Sequence, residues 1–396
     1  MSAEAIRQIA RHLPDDTKEQ WEIYRAAREL MFRAEPPRET VFRLFMSNGV
    51  AAAGVTAVDL GLFRILAAEP SRSFTVEELC QKTGAEPMLL ARLLKVLNAW
   101  GYVGLSRPNE FQATSSTIAL TTPFAEQSSQ AQNQFNGPMF LALPEYLRKT
   151  GYKNPMDPTN TAFHMAYKTD KEILGWFGEN KYWSDTLMSF MSVQRQGQDP
   201  WMSEPHLLQG FDLALSQLDL ERNRAQFVDV GGAAGHQSIA FREHYPHLKG
   251  PVILQDLPFI LPLAQKNPRI SELEITPQPH DFMTPQTPEA KGAKIFHMRN
   301  VLHDWNDDKD AIILSHIRDA MAADSILIID ETVVPDTDMA VQVAAIDMVM
   351  MALPAAQERS QGMWRELVEG RVGMRVREIR TYDEQTRDSL ILVARA

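Results

Sequence analysis

The stretch Phe227-Val-Asp-Val-Gly-Gly-Ala-Ala-Gly235 decides the fold: an apolar strand runs into a turn of small residues, and a helical stretch begins at His236. Small side chains at a strand-to-helix turn let the backbone approach a ligand. The dinucleotide spacing G-x-G-x-x-G is not met, because Ala233 and His236 occupy its later positions. The next apolar run, Pro251-Val-Ile-Leu-Gln255, leads to Asp256, placed where an acid can accept hydrogen bonds from ribose hydroxyls. Loop and acid together point to a nucleoside-containing cofactor. No lysine or arginine lies in the loop and Asp229 stands just before it, so a cofactor without a pyrophosphate fits better than NAD.

Working outward, Ala293-Lys-Ile-Phe-His-Met298, Ser325-Ile-Leu-Ile-Ile329 and the closing Ser389-Leu-Ile-Leu-Val393 repeat the short apolar run, with helical stretches between. Strands alternating with helices predict an α/β domain with a parallel, doubly wound sheet over residues 206–396. Residues 126–205 read as a helical, aromatic linker and substrate-binding segment, and residues 1–125 as mainly helical. Within the latter, Thr75 caps a helix with Glu78 at its third position. A second helix carries Leu89, Leu90, Leu93, Leu94 and Leu97, and two short strands flank Arg107-Pro-Asn109, which is a winged-helix pattern. Between residues 40 and 67 the apolar positions, Val41, Phe42, Leu44 and Phe45 among them, ask for a partner surface such as a second copy of the chain.

Composition narrows the function classes. A net charge of −11 argues against a nucleic-acid or anionic-lipid surface, since both reward clustered Lys and Arg. The single cysteine, Cys80, has no partner within the chain, so a reducing, cytoplasmic compartment is expected. The first residues lack an apolar core of the signal-peptide type, and no apolar run is long enough for a membrane span.

A histidine is the candidate for the chemistry, against a role that only organises its loop. His303 lies in Arg299-Asn-Val-Leu-His303-Asp-Trp-Asn-Asp-Asp308, between a strand end and a helix capped by Asn306. Open α/β sheets bind ligands in that crevice. Glu331 follows another strand end and Glu358 sits in Gln357-Glu-Arg359. Carboxylates flanking an imidazole hold one tautomer and make it a better base.

These blocks resemble the S-adenosylmethionine-dependent class I O-methyltransferases typified by plant caffeate and flavonoid enzymes, and especially their fungal secondary-metabolism relatives. Six segments carry the likeness in family order: Phe227-Val-Asp-Val-Gly-Gly, Leu254-Gln-Asp-Leu-Pro258, His280-Asp-Phe282, Leu302-His-Asp-Trp305, Asp330-Glu-Thr-Val-Val-Pro335 and Glu358-Arg-Ser. The resemblance implies a Rossmann-like methyltransferase domain behind a winged-helix dimerisation domain, acting as a homodimer on a small molecule without a metal. It implies that Gly231, Gly232 and Gly235 wrap the methionine end of S-adenosylmethionine, that Asp256 holds the ribose, and that Asp281 and Phe282 flank the adenine. Arg299 stands where plant relatives usually carry lysine, and His303 matches the general base with Glu331 and Glu358 beside it. Met191, Met351 and Phe163 are expected to line the substrate pocket, with core packing the alternative for each, and His164 to face solvent, with substrate contact as its alternative. Ala233 replaces the usual third loop glycine, and Pro354-Ala-Ala-Gln357 departs from a glycine-rich stretch.

Two rival functions remain. A winged helix suggests a DNA-binding regulator, but Arg72, Lys82, Arg92, Lys95 and Arg107 are nearly balanced by Glu77, Glu78, Glu86 and Glu110. Some fungal relatives use the bound cofactor to steer a pericyclization or dehydration. Arg299 would then polarise a substrate carbonyl.

Overall fold

Alternate residues of the central strands are apolar on both sides, and this dictates a sheet covered on both faces. The computed structural model describes residues 3–193, 200–203, 207, 224–337 and 339–396. The chain divides into two compact units, Met1–Ser129 and Gln130–Ala396. The domain boundary expected at 205–206 lies outside the described residues.

The first unit is mainly helical. Strand β1 (Phe74–Thr75) leads into α1 (Val76–Thr83) and α2 (Pro87–Ala99), followed by β2 (Gly104–Arg107) and β3 (Glu110–Gln112). The capping box read from the sequence is present: the Glu78 amide donates to Thr75 Oγ1 at 3.2 Å, and the Thr75 amide to Glu78 Oε2 at 2.8 Å. β3 pairs with both β1 and β2. Leu79, Leu90, Leu94, Leu97, Phe63 and Phe74 form the core. Val41, Phe42, Leu44 and Phe45, expected to be covered, are exposed.

The second unit opens with α3 (Asn136–Lys149) and α4 (Ala162–Tyr167), which pack an aromatic core of Phe135, Phe163, Trp176 and Phe177. The sheet then assembles from β4 (Phe227–Val230), β5 (Val252–Asp256), β6 (Ile275–Pro279), β7 (Ile295–Arg299), β8 (Ile326–Val334), β10 (Met374–Thr381) and β11 (Asp388–Arg395), in the order β10-β11-β8-β7-β4-β5-β6. A two-residue strand, β9 (Arg359–Ser360), pairs with β8. Helices α5 (His236–His244), α6 (Asp307–Ala320) and α7 (Val341–Ala352) follow β4, β7 and β8 in sequence. Val228, Phe296 and Ile329 point into one core, and Phe227, Ile295 and Ile328 into the other.

The expected parallel, doubly wound sheet carries an antiparallel end. β4 to β8 are parallel, but β11 runs antiparallel to both β8 and β10. β6 and β10, the two edges, escaped the reading. β6 contains Pro277 and Pro279, which cannot donate to a ladder and are tolerated at an edge. β10 alternates buried Met374 and Val376 with exposed Arg375 and Arg377, the signature of a half-covered edge.

Candidate active site

The glycine loop is shaped by backbone conformations that side chains resist. Gly235 has φ +81°, and a Cβ there would come within 2.6 Å of Leu254 and Ile270. Gly231 has φ +73°, and its missing Cβ would press on Val301 at 2.9 Å and approach Phe282 at 3.8 Å. Ala233 is itself held at φ +45°, a left-handed conformation costing an alanine about 1–2 kcal/mol. Its amide donates to Asp256 Oδ2 at 2.9 Å, so the strain is retained by a specific bond. Ala233→Gly is therefore expected to raise unfolding stability by up to about 1 kcal/mol and Gly235→Ala to lower it by at least as much. Urea denaturation reads both; shifts of the same sign would contradict this account.

Asp256 closes β5 with its other oxygen, Oδ1, accepting from the Leu257 amide at 2.7 Å. Burial raises its pKa. Asp281 is exposed and accepts from the Met283 amide at 2.9 Å. Phe282 is half-buried and meets Trp305 edge-on at 6.0 Å. Arg299, the last residue of β7, places Nε 3.2 Å from Asp330 Oδ2.

The His303 loop follows directly. Asn300 takes φ +50° and its amide donates to the Asp330 carbonyl at 3.1 Å, which turns the chain off β7. His303 then lies on a single turn of 3-10 helix, Leu302–Asp304, with its side chain 16% exposed. The two glutamates divide their work. Glu358 Oε1 is 2.8 Å from His303 Nδ1, so Nδ1 donates and Nε2 is left as the basic nitrogen. Glu331, wholly buried, instead accepts the Val301 and Leu302 amides, each at 2.9 Å, and comes no nearer than 4.0 Å to the ring. Burial disfavours the imidazolium, but Glu331, Asp304 and Glu358 outweigh it and push the His303 pKa up to about 10. Burial, reinforced by Glu358, pushes Glu331 up to about 7, against the pull of His303 and the two amides.

Two residues of this assembly were not singled out in the sequence. Asp347, on α7, accepts the Glu358 amide at 2.9 Å and so fixes the orienting acid. A lone acid in the apolar run Val341–Ala352 was the available signal. Arg359 is completely buried and spends its guanidinium on the His303 loop: on the Leu302 carbonyl at 3.1 Å, the Trp305 carbonyl at 3.0 Å, Asp307 at 2.8 Å and Asp310 at 2.6 Å. It also lies over the Trp364 ring. Only its adjacency to Glu358 marked it.

The expected pocket residues fare unequally. Met191 is exposed on the helix Lys181–Val193, and Met351 is half-buried against the aromatic core. Phe163 is a correction: it has no exposed surface and packs edge-on against Trp176 at 5.1 Å, because aromatic edges and faces attract. His164 is a second correction. It is buried, not solvent-facing, and accepts at Nδ1 from the Thr161 amide at 3.2 Å while Nε2 lies 3.1 Å from the Lys171 carbonyl. That histidine caps α4.

Comparison with known proteins places this geometry in a family. The profile of the O-methyltransferase domain matches residues 197–374. The chain is 34% identical to methyltransferase cfoC of Aspergillus candidus over 343 residues, covering 85% of this chain and 81% of that protein. It is 30% identical to the demethylsterigmatocystin 6-O-methyltransferase of Aspergillus flavus, over 93% of this chain and 91% of that protein. Among solved structures, LepI in complex with SAM superposes with a TM-score of 0.86 at 29% identity, over 99% of this chain and 97% of that one. A structure described as a pericyclic reaction enzyme gives 0.85 at the same identity, over 99% and 98%. With its Rossmann-like sheet, its glycine loop and these relatives, the chain belongs to the S-adenosylmethionine-dependent class I O-methyltransferase family, in its fungal secondary-metabolism branch.

Proposed function

We propose that the chain transfers a methyl group to a phenolic or enolic hydroxyl of a small secondary metabolite, with His303 as the general base. The observation that carries this reading is the 2.8 Å bond from His303 Nδ1 to buried Glu358, which leaves Nε2 to take the substrate proton. A relative named demethylsterigmatocystin 6-O-methyltransferase supports O-methylation as the reaction.

The residues of the loop fit the cofactor. Gly231 lacks the side chain that would collide with Val301, and the ring of Phe282 lies beside it, an apolar wall for a purine. Each Asp256 oxygen accepts one backbone amide and keeps a lone pair for a diol. In this assignment Gly231, Gly232 and Gly235 receive the methionine end, Asp256 the ribose, Asp281 and Phe282 the adenine, and Arg299 stands close by. S-adenosylmethionine, when bound, supplies a methyl group on a sulfonium. The protein's own tasks are to align the hydroxyl, exclude water and accept its proton at Nε2.

A consequence for pH follows. Flanking carboxylates keep the proton on His303 up to about 10, and a protonated ring is no base. The transfer rate should climb about tenfold per pH unit above neutrality before levelling. Glu358→Gln should move that climb to lower pH and depress the plateau. A wild-type rate independent of pH between about 6 and 9 contradicts the assignment. The sign for stability is opposite: the raised histidine stabilises the fold fully below its ordinary value near 6.5, and this contribution disappears as pH rises to about 10.

A second reading is favoured by Arg299, at the mouth of the sheet with its side chain only 17% exposed. A guanidinium there would polarise a substrate carbonyl for a pericyclic or dehydrative step, with the cofactor unconsumed. For assembly, we propose a homodimer formed through the exposed Val41, Phe42, Leu44 and Phe45 face. Light scattering on a sizing column should give the mass of two chains, and a single-chain mass contradicts it.

A further inference from the structure

At the centre of the sheet lies a buried charged cluster that methyl transfer leaves unused. His297 on β7 stands opposite Asp229 on β4 in the parallel register, and its Nδ1 is 3.0 Å from Asp229 Oδ1. Its Nε2 is 3.9 Å from Asp330 Oδ2, an ion-pair separation too long for a hydrogen bond. Asp330 in turn faces Arg299 Nε at 3.2 Å and accepts from the Tyr382 hydroxyl at 2.7 Å. The rings of Phe227 and Trp201 lie stacked alongside the imidazole at 5.3 and 6.2 Å. The ionisable groups facing the ring are thus Asp229 from β4, Asp330 from β8, Arg299 from β7 itself, and Tyr382 beyond β10.

The surrounding carboxylates favour a doubly protonated ring. A carboxylate only accepts, so Nδ1 must carry a proton to meet Asp229. A neutral ring would then aim the Nε2 lone pair at the Asp330 carboxylate, in a site where the histidine has no exposed surface. Two carboxylates against one guanidinium would also leave an uncompensated buried charge. A second ring proton removes both problems. Burial opposes the imidazolium, but the interactions with Asp229 and Asp330 prevail and raise its pKa.

Both ends of this bridge reach the cofactor site. Asp229 Oδ2 accepts from the Ser238 amide at 3.2 Å and its hydroxyl at 2.8 Å, in the first turn of α5. The same carboxylate lies so close beneath the loop that a Cβ on Gly232 would fall 2.9 Å from it. Asp330 Oδ2 lies 3.2 Å from Arg299 Nε, an ion pair at the end of β7. We propose that His297 is a positioning residue which, as an imidazolium between Asp229 and Asp330, locks the glycine loop and Arg299 at one spacing. This role rests on the assignment of that loop as the cofactor cradle.

The test has two arms on the full chain. In ¹⁵N-histidine NMR of the ligand-free protein, His297 should show both ring nitrogens protonated in the range around pH 6.5, where an ordinary histidine is half neutral. A neutral ring in that range overturns the proposal, and the wild-type spectrum decides this even if variants fold poorly. In calorimetry with S-adenosylhomocysteine, His297→Gln should bind about tenfold or more weakly. A His297→Gln or His297→Phe variant with wild-type affinity reduces the residue to packing and overturns the proposal. Failure of the wild type to bind S-adenosylhomocysteine overturns the cofactor assignment and the positioning role with it, while the NMR arm reports the bridge by itself.

Discussion

Replacing His303 by alanine is expected to lower the methyl-transfer rate by about 10²–10⁴-fold while changing S-adenosylhomocysteine affinity less than about threefold. The separation follows from what the side chain touches. Its Nδ1 is bound to Glu358, and the loop that carries it is held by backbone amides on Glu331, not by the imidazole. Removing the ring therefore removes the base and leaves the loop anchored. The glycine loop is organised by Asp256 and Asp229, neither of which contacts His303. Rapid-quench turnover and calorimetry on the same preparation check both halves. A variant retaining near wild-type turnover removes His303 from the chemistry, and a collapse of cofactor affinity shows that it shapes the binding site instead.

Arg359→Met should destabilise the protein by about 3–5 kcal/mol, because it leaves a buried carboxylate without its counter-charge. The guanidinium and Asp310 are both fully buried and 2.6 Å apart. Burial already pushes the Asp310 pKa well up, against the pull of Arg359. Asp307 and the carbonyls of Leu302 and Trp305 lose donors as well. Differential scanning calorimetry should register a melting temperature lower by about 10 °C. Arg359→Lys keeps the charge but not the planar fork that reaches four acceptors, so it should fall between the two. A melting temperature within about 2 °C of wild type for Arg359→Met contradicts the clamp.

The central strands were legible because β4, β5, β7 and β8 are short apolar runs with both faces covered. β6 was hidden by its prolines, and β10 by its arginines. Loop chemistry was half legible. Gly231, Gly235 and Asp256 announce themselves by residue type at a strand end, and the structure adds the positive φ angles and the carboxylate-to-amide bonds. That Glu358 bonds His303 while Glu331 braces the loop depends on a difference of about one ångström between two acids far apart in sequence, which no spacing encodes. Arg359 and His297 escaped for the same reason: their partners come from other strands and helices. Phe163 misled because an aromatic in a pocket and an aromatic in a core look alike until the neighbouring rings are placed.

The most direct test is a single turnover of wild-type protein with methyl-labelled S-adenosylmethionine and a panel of phenolic and enolic polyketides, analysed by mass spectrometry. The account requires one labelled methyl on a substrate oxygen for each S-adenosylhomocysteine formed. A substrate that is dehydrated or rearranged while all the S-adenosylmethionine is recovered intact would contradict it and establish the pericyclic reading in its place.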